Sequence, residues 1–399
     1  MRNKIFLYII SEGLSRGIPQ LTLIVLAFLI SKDNFGILIL LYGLESLIVL
    51  LLPSNYVEVL YKIQNKNNKI KISNNMFTIN LIIITIVLLF YFLFKTKFSS
   101  FYNYDYFIVF VSIIISAFIN SSMRFYRTQL QLLLEHNRAI QNMLYSFGFA
   151  NFFMILFLII FDDKIFAFFV GKSLGFIIYF IYFIYFEKLK FELSKFTIIY
   201  FAFRVKYLFL FAVYSWLFGY GFIYIVKLIG TSEEVANIGY IITFSMPFLL
   251  LANGINQVYN PKVKKLLSFD FLSGLIFSKK VFKYYLLLSF IIIFFIYSVG
   301  FINFEIICKY NIFILLCAVV FSLSTSKYVY EVYLYVYDLF RVYILGTIFI
   351  ETLTLVCILL LYYVYNINII YLYPILIFSR NICVYVLMNK IKRLNIEKY

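Results

Sequence analysis

A few charged side chains stand inside long apolar stretches of this sequence, and they have the clearest capacity for chemistry. They are Glu12, Arg16, Glu45, Lys172, Lys327, Glu331, Glu351 and Arg380. A charge in the middle of a membrane-spanning helix costs at least about 2.5 to 3.5 kcal/mol on insertion scales. Such side chains must face protein or water, where they can bind ions or the charged groups of a substrate.

Two pairs of these residues have helical spacing. Glu12 and Arg16 are separated by one helical turn, as are Lys327 and Glu331, so each pair lies on one face of its helix. Either pair is an internal ion pair that fixes a helix, or part of a cavity wall that opens to admit an anion. Because acidic and basic side chains balance within the apolar stretches, the sequence predicts no net sign for the field in a cavity.

The other four residues have no partner at helical spacing. Glu45, Glu351 and Arg380, like Arg16, lie about 10 residues inside apolar runs, near the middle of a hydrocarbon core about 30 Å thick. Lys172 is nearer the end of its run and has glycines on either side, so it either lines a cavity or extends to the interface. The positions come from both halves of the chain, which predicts a central cavity between two bundles.

The elements that carry these charges are predicted to be transmembrane helices. The chain has 399 residues, of which 64% are hydrophobic and 13% charged, and its mean hydropathy is +0.95. This composition excludes a soluble globular protein. The apolar runs are about 20 residues long, which suits spanning helices rather than the shorter, alternating strands of a barrel.

About twelve spans are predicted, with both termini in the cytoplasm. They cover residues 5–30, 36–59, 76–95, 105–125, 139–161, 165–186, 206–229, 236–258, 283–303, 311–336, 341–364 and 369–389. Most of the 35 basic residues then lie in inner loops and tails, and the short outer loops hold only Lys32, Lys95, Lys97, Lys164, Lys227 and Lys309. This positive-inside distribution explains the net charge of +17 without a nucleic-acid partner.

The sequence predicts an internal repeat of two membrane hairpins. An apolar run, a polar turn, a second apolar run and a proline with lysines occur from Leu21 and again within Tyr214–Lys265, about 200 residues later. We therefore expect an N-terminal six-helix lobe over 1–190 and a C-terminal lobe over 191–399. The linker at 187–206 is either a basic amphipathic helix on the inner leaflet or a flexible connection.

Motifs of soluble enzymes and of metal sites do not occur in the sequence. The 4 cysteines form no CxxC pair, and the 1 histidine, His136, stands alone in a basic inner loop. The sequence contains no Walker loop, HExxH or GxSxG. We therefore expect a transporter without cofactors, driven by an ion gradient or by the gradient of its substrate, rather than an enzyme.

Several motifs resemble a known transporter family. They are the run Lys227-Leu-Ile-Gly-Thr-Ser-Glu-Glu-Val-Ala-Asn-Ile-Gly-Tyr, the following Asn256-Gln-Val-Tyr-Asn-Pro261, the opening Ser11-Glu-Gly-Leu-Ser-Arg16-Gly-Ile-Pro19, and Phe35-Gly36. With the chain length and the span count, they make the sequence similar to bacterial polysaccharide and O-antigen flippases of the Wzx type, in the multidrug/oligosaccharidyl-lipid/polysaccharide (MOP) exporter superfamily.

The resemblance implies an all-α, MATE-like fold and a place in the bacterial inner membrane. It implies translocation of undecaprenyl-diphosphate-linked O-antigen or capsule repeat units from the cytoplasmic to the periplasmic leaflet by alternating access. It also implies membrane lipids, a polymerase and a chain-length regulator as partners. On this basis we expect the basic residues Arg16, Arg380, Lys172 and Lys327 to bind substrate, and the acidic residues Glu45, Glu351, Glu12 and Glu331 to couple ions or protons.

Two other functions remain open on the sequence. An ion-coupled drug or cation antiporter of the same superfamily would share the twelve-span layout. A membrane O-antigen polymerase would act in the same pathway, but it is expected to have a large outer loop, and every predicted outer loop here is short.

Overall fold

The computed structural model describes most of the chain. The described residues are 17–56, 66–102, 104, 107–133, 135–187, 192–195, 199, 209–267, 269–300, 320, 328–337, 339–367 and 369–396. For several stretches and single residues among them, including His136, Glu331 and Arg380, the main chain alone is described.

Helices make up nearly all of the described chain. They are α1 (Gly17–Leu29), α2 (Lys32–Leu51), α3 (Lys66–Leu93), α4 (Lys95–Tyr102), α5 (Phe107–Leu132), α6 (His136–Ile160), α7 (Lys164–Glu187), α8 (Phe209–Leu217), α9 (Tyr220–Ile229), α10 (Ser232–Leu267), α11 (Phe271–Gly300), α12 (Tyr328–Val336), α13 (Phe340–Tyr365) and α14 (Ile369–Ile396). A short 3-10 turn at Pro53–Asn55 follows α2. Within these ranges there is no β-strand.

The predicted all-helical membrane architecture is confirmed, because each of the predicted spans overlaps a described helix. By length and hydropathy, 7 of the described helices could each cross a membrane, and the pair α8–α9, bent by 47°, would raise the number to 8. The bend occurs at Phe218 and Gly219, which separate the two helices.

Polar side chains fix the turns of the two predicted hairpins. Ser31 precedes α2, and its hydroxyl accepts a hydrogen bond from the Asn34 amide at 3.4 Å. Thr231 precedes α10, and its hydroxyl accepts from the Glu234 amide at 3.3 Å while the Glu234 carboxylate accepts from the Thr231 amide at 2.9 Å. This reciprocal arrangement is a capping box, which satisfies main-chain donors at the start of a helix.

Several helices extend beyond the predicted inner span ends. Helix α5 continues to Leu132 and α3 begins at Lys66, where the sequence predicts loops. Helix α10 also continues past Pro261, where we expected it to stop. Proline removes one main-chain hydrogen bond from the helix. Burial of Val263 and Leu267 in the last turns of α10 compensates for this loss and stabilises the extension. Hydropathy falls where a helix leaves the hydrocarbon, but the helix itself does not end there.

Two glycines allow α6 and α7 to pack at backbone contact. A Cβ atom added to Gly171 would lie 2.7 Å from the Phe153 carbonyl oxygen, and one added to Gly175 would lie 2.3 Å from the Phe149 carbonyl oxygen. This is the close approach of small residues one turn apart that is typical of membrane helices. It fixes the rotation of α7 and therefore the direction of Lys172.

The chain divides into two compact units. The first ends at Gly221 and the second begins at Phe222, except that Leu23–Phe28 of α1 belongs with the second. The predicted lobes 1–190 and 191–399 stay a prediction, because most of the linker at 187–206 lies outside the described residues. One part of the linker is described at Ser194, whose amide donates to the Asn75 side-chain oxygen at 2.5 Å.

Candidate functional site

A buried ion pair joins two of the predicted site residues in the first unit. The Lys172 ammonium on α7 donates to the Glu45 Oε2 atom on α2 at 2.6 Å. Both residues are buried, with exposed fractions of 7% and 5%. In this structure Glu45 therefore neutralises the charge of Lys172, and a role of Lys172 in substrate binding stays a prediction.

Two aromatic rings complete the surroundings of the Lys172 ammonium. The nitrogen lies 5.5 Å from the ring centre of Tyr42 and 5.6 Å from that of Phe168. Such contacts stabilise a cation by about 0.5 to 2 kcal/mol each, depending on desolvation. The ammonium is thus held by one carboxylate and two ring faces.

The Tyr42 ring is itself positioned by two neighbouring helices. Its hydroxyl accepts a hydrogen bond from the Gln20 side-chain nitrogen on α1 at 3.0 Å. Tyr220 on α9 packs edge-on against it, with ring centres 5.5 Å apart. Residues from α1, α2, α7 and α9 therefore converge on the ion pair.

Helix α8 is fastened to α2 close to the ion pair. The indole nitrogen of Trp216 donates to the Gly43 carbonyl oxygen at 3.0 Å. A Cβ atom added to Gly221 would lie 2.9 Å from the Trp216 ring, so the indole packs over a surface that only glycine leaves free. Gly43 lies between Tyr42 and Glu45, which places this contact on the helical turn that carries the ion pair.

A third predicted site residue, Glu351 on α13, is buried in the second unit with an exposed fraction of 3%. Thr347 lies one helical turn earlier and is also buried. Asn381 on α14 is buried too, and neither of its side-chain polar atoms has a hydrogen-bond partner in the described part of the chain. The second unit therefore also holds ionisable and polar groups away from solvent.

The remaining predicted site residues cannot be placed in this geometry. Glu12, Arg16 and Lys327 lie outside the described residues, and the side chains of Glu331 and Arg380 lie outside them as well. The structure thus brings together Lys172 and Glu45, which the sequence treated as separate, and leaves the two i,i+4 pairs as predictions.

One buried charge was assigned to a loop by the sequence. Arg127 is buried because α5 continues past the predicted span end, and its Nη1 atom donates to the Ser146 hydroxyl at 3.3 Å. Its guanidinium also lies 5.2 Å from the Phe147 ring centre.

The sequence also did not predict the contacts that Gln20, Tyr42 and Trp216 make around the ion pair. Position gave a partial signal for Tyr42, since it precedes Glu45 by about one helical turn.

The arrangement of Lys172 and Glu45 is a buried ion pair between two distant segments. Among the described residues no group of three or more His, Cys, Asp or Glu side chains could hold a metal ion. A buried lysine paired with one carboxylate can exchange that partner for another anion, and the released carboxylate can then take up a cation or a proton.

Comparison with known proteins identifies the fold. No family model and no curated protein matches the sequence. Solved structures do match over nearly the whole chain. An inward-facing conformation of a multidrug resistance MATE family transporter of the MOP superfamily has a TM-score of 0.71 at 13% identity, covering 99% of this chain and 96% of that one.

Two further transporters share this architecture. The eukaryotic MATE transporter AtDTX14 has a TM-score of 0.59 at 10% identity, covering 98% of this chain and 94% of that one. The MATE multidrug transporter DinF-BH has a TM-score of 0.54 at 14% identity, covering 98% and 92%. The chain therefore has the all-helical fold of the MATE transporters of the MOP superfamily.

Proposed function

We propose that this protein is a membrane transporter that moves a lipid-linked oligosaccharide from the cytoplasmic to the periplasmic leaflet. The observation that supports the transporter part of the proposal is the match of 99% of the chain to a MATE transporter structure. A drug antiporter would share this fold, so the flippase part is supported by the sequence.

The choice of a flippase rests on the sequence of the second hairpin. The run from Lys227 to Pro261 resembles the Wzx-type flippases, and its turn is built by the Thr231 and Glu234 capping box. A diphosphate that bears several hydroxylated sugars cannot cross hydrocarbon unaided, because each buried polar group must be satisfied. Its lipid tail can remain in the bilayer during the transfer.

Lys172 is the proposed anion contact in the first unit. Without substrate, the Lys172 ammonium is bound to the Glu45 carboxylate. A diphosphate can replace Glu45 because it offers more charge and more acceptor oxygens than one carboxylate. The two ring faces of Tyr42 and Phe168 would continue to stabilise the ammonium during the exchange. The released Glu45 would then bind the coupling ion or proton.

The other charged residues keep the roles that the resemblance implies. Arg16, Arg380 and Lys327 are proposed to contact the diphosphate or acidic sugars, and Glu12, Glu331 and Glu351 to take part in ion or proton coupling. The partners remain undecaprenyl-diphosphate-linked oligosaccharide and the proteins that polymerise it, in the bacterial inner membrane. Alternating access is the proposed mode of transport.

Complementation tests the proposal. The gene is expressed in a bacterial strain that lacks its own O-antigen flippase, and surface polysaccharide is scored by immunoblotting. We expect polysaccharide to be restored by the wild-type chain. The Lys172→Met, Glu45→Met double variant serves as a folded but uncharged control, and we expect it to restore little.

A drug or cation antiporter gives a different result in the same strain. It would raise resistance to cationic dyes and leave surface polysaccharide absent. Resistance without polysaccharide, at protein levels equal to those of a flippase control, would contradict the flippase assignment and favour the antiporter.

A further inference from the structure

Two adjoining helices of the second unit are longer than a membrane requires. Helix α10 has 36 residues and α11 has 30, which at about 1.5 Å per residue is about 54 Å and 45 Å. A hydrocarbon core is about 30 Å thick. Because α10 begins directly at the outer turn, the excess length lies at its opposite end, where Phe269 and Asp270 connect it to α11.

The excess length forms a helical hairpin, where the sequence predicted a basic loop from Pro261 to Lys283. Its helices pack through buried side chains such as Leu267 and Leu275. The ammonium of Lys262 on α10 also lies 4.6 Å from the Phe277 ring centre on α11. The two helices are thus joined along the projecting part as well as inside the bilayer.

The outward surface of this hairpin is strongly basic. We define its hairpin lysine surface as the exposed residues Lys262, Lys264, Lys279, Lys280 and Lys283. The only acidic residue of the described chain between Pro261 and Lys283 is Asp270. Its carboxylate is engaged at the tip, where it accepts hydrogen bonds from the Leu272 and Ser273 amides at 3.1 and 2.8 Å.

The predicted span ends place the lysines at the depth of the lipid headgroups. The predicted spans end near residue 258 on α10 and begin near residue 283 on α11. Lys262 and Lys264 are then about 6 to 9 Å beyond the hydrocarbon, and Lys279 is about 6 Å beyond it. The headgroup layer is about 5 to 8 Å thick on each side. The ammonium groups therefore reach the phosphates of the leaflet on the predicted cytoplasmic side.

We propose that the hairpin lysine surface binds the phosphates of anionic glycerophospholipids in this leaflet. Clustered lysines next to a spanning helix attract anionic headgroups, and each additional cation strengthens the attraction. The two helices hold the main chain of these lysines in place, so less conformational entropy is lost on binding than with a disordered loop. The inference is independent of the transported substrate.

A local fluorescence measurement tests this proposal. The full chain carries one tryptophan, Trp216. Replacing it by Phe and introducing Tyr284→Trp places a single indole beside Lys283 and one turn from Lys280. The protein is embedded in phosphatidylcholine nanodiscs doped with phosphatidylglycerol or phosphatidylcholine, each bearing the same nitroxide at the top of one acyl chain. We expect the labelled phosphatidylglycerol to quench the fluorescence of this indole at least two-fold more strongly than the labelled phosphatidylcholine does.

Matched variants separate specific binding from general membrane charge. The hairpin variant changes Lys264, Lys279 and Lys283 to Gln and retains Lys262, which packs on Phe277. The control variant changes three lysines on the predicted outer side to Gln, namely the exposed Lys95 and Lys97 and the half-buried Lys32. We expect the hairpin variant, which retains Lys262 and Lys280, and 0.5 M salt each to weaken the preference for phosphatidylglycerol strongly, and the control variant to retain it. Equal quenching in the parent, or an unchanged preference in the hairpin variant, would overturn the proposal.

Discussion

The Lys172 ammonium on α7 lies 2.6 Å from the Glu45 carboxylate on α2, although the residues are 127 positions apart in the chain. Both are buried, and the two glycines that seat α7 against α6 fix the direction of the lysine. In the proposed transport cycle an anion must compete with Glu45 for the Lys172 ammonium, and this competition would be a physical basis for selectivity.

Removing one member of this pair should destabilise the protein more than removing both. Lys172→Met or Glu45→Met leaves a buried charge without its partner, which typically costs about 3 to 5 kcal/mol. The double variant replaces the pair by apolar side chains of similar size, which is often neutral. Melting temperatures of the detergent-purified protein test this prediction.

The double variant also separates stability from transport. It should melt near the wild-type temperature and fail to restore surface polysaccharide in the flippase-deficient strain. If the single effects simply add in the double variant, Lys172 and Glu45 are not coupled and the contact is incidental.

Because α6 packs closely on α7, we expect one methyl group added between them to destabilise the protein. Gly175→Ala places a Cβ atom 2.3 Å from the Phe149 carbonyl oxygen, so the helices must separate, and we expect a loss of about 1 to 3 kcal/mol. Gly148→Ala on α6 is the matched control, because nothing lies within 4 Å of its added Cβ. Thermal unfolding followed by size-exclusion chromatography compares the two. Equal melting temperatures would contradict the described packing.

The lone tryptophan should report on the contact between α8 and α2. In Gly221→Ala the new methyl group would meet the Trp216 ring at 2.9 Å, so the indole must shift and lose its bond to Gly43. We expect a change of several nanometres in the emission maximum. Gly219→Ala is the control, since its nearest neighbours are main-chain oxygens rather than the indole. An unchanged spectrum in Gly221→Ala would show that the indole does not occupy this position.

The start of α11 should weaken at acidic pH. Hydrogen bonds from the Ser273 hydroxyl and from the Ser273 and Leu272 amides lower the pKa of Asp270 in the folded protein. A lowered folded pKa means that the carboxylate contributes stability above its unfolded pKa, and that this contribution is lost as pH falls through the folded pKa. Asp270→Ala should therefore lower the melting temperature at pH 7 and have a progressively smaller effect as the solution is acidified. If the melting temperatures of Asp270→Ala and the wild type differ by the same amount at every pH, ionisation of the carboxylate is not the cause.

Composition and hydropathy were sufficient for the helical architecture, because every helix in a bilayer must satisfy its own main chain and present apolar side chains. Composition and hydropathy were insufficient to predict where the helices end on the predicted inner side. Arg127 and Pro261 mark places where polarity rises while the helix continues, and a hydropathy pattern cannot separate leaving the membrane from ending a helix.

The candidate site was only partly predictable for a related reason. The burial cost of a charge identified Lys172, Glu45 and Glu351 as residues that must face protein. The pairing of Lys172 with Glu45 depends on how α7 rotates against α6, which is set by Gly171 and Gly175 through contacts between distant segments. Spacing along one helix carries no information about such contacts.

The most direct test of the central claim is transfer of the lipid itself. The purified chain is reconstituted into liposomes that contain a fluorescent undecaprenyl-diphosphate oligosaccharide, and a membrane-impermeant reagent measures how much of the lipid reaches the outer leaflet. We predict transfer well above that of protein-free liposomes, and transfer near that background for the Lys172→Met, Glu45→Met double variant. Transfer by the wild-type chain at the protein-free rate, under an imposed ion gradient as well as without one, would contradict the assignment of this protein as a flippase.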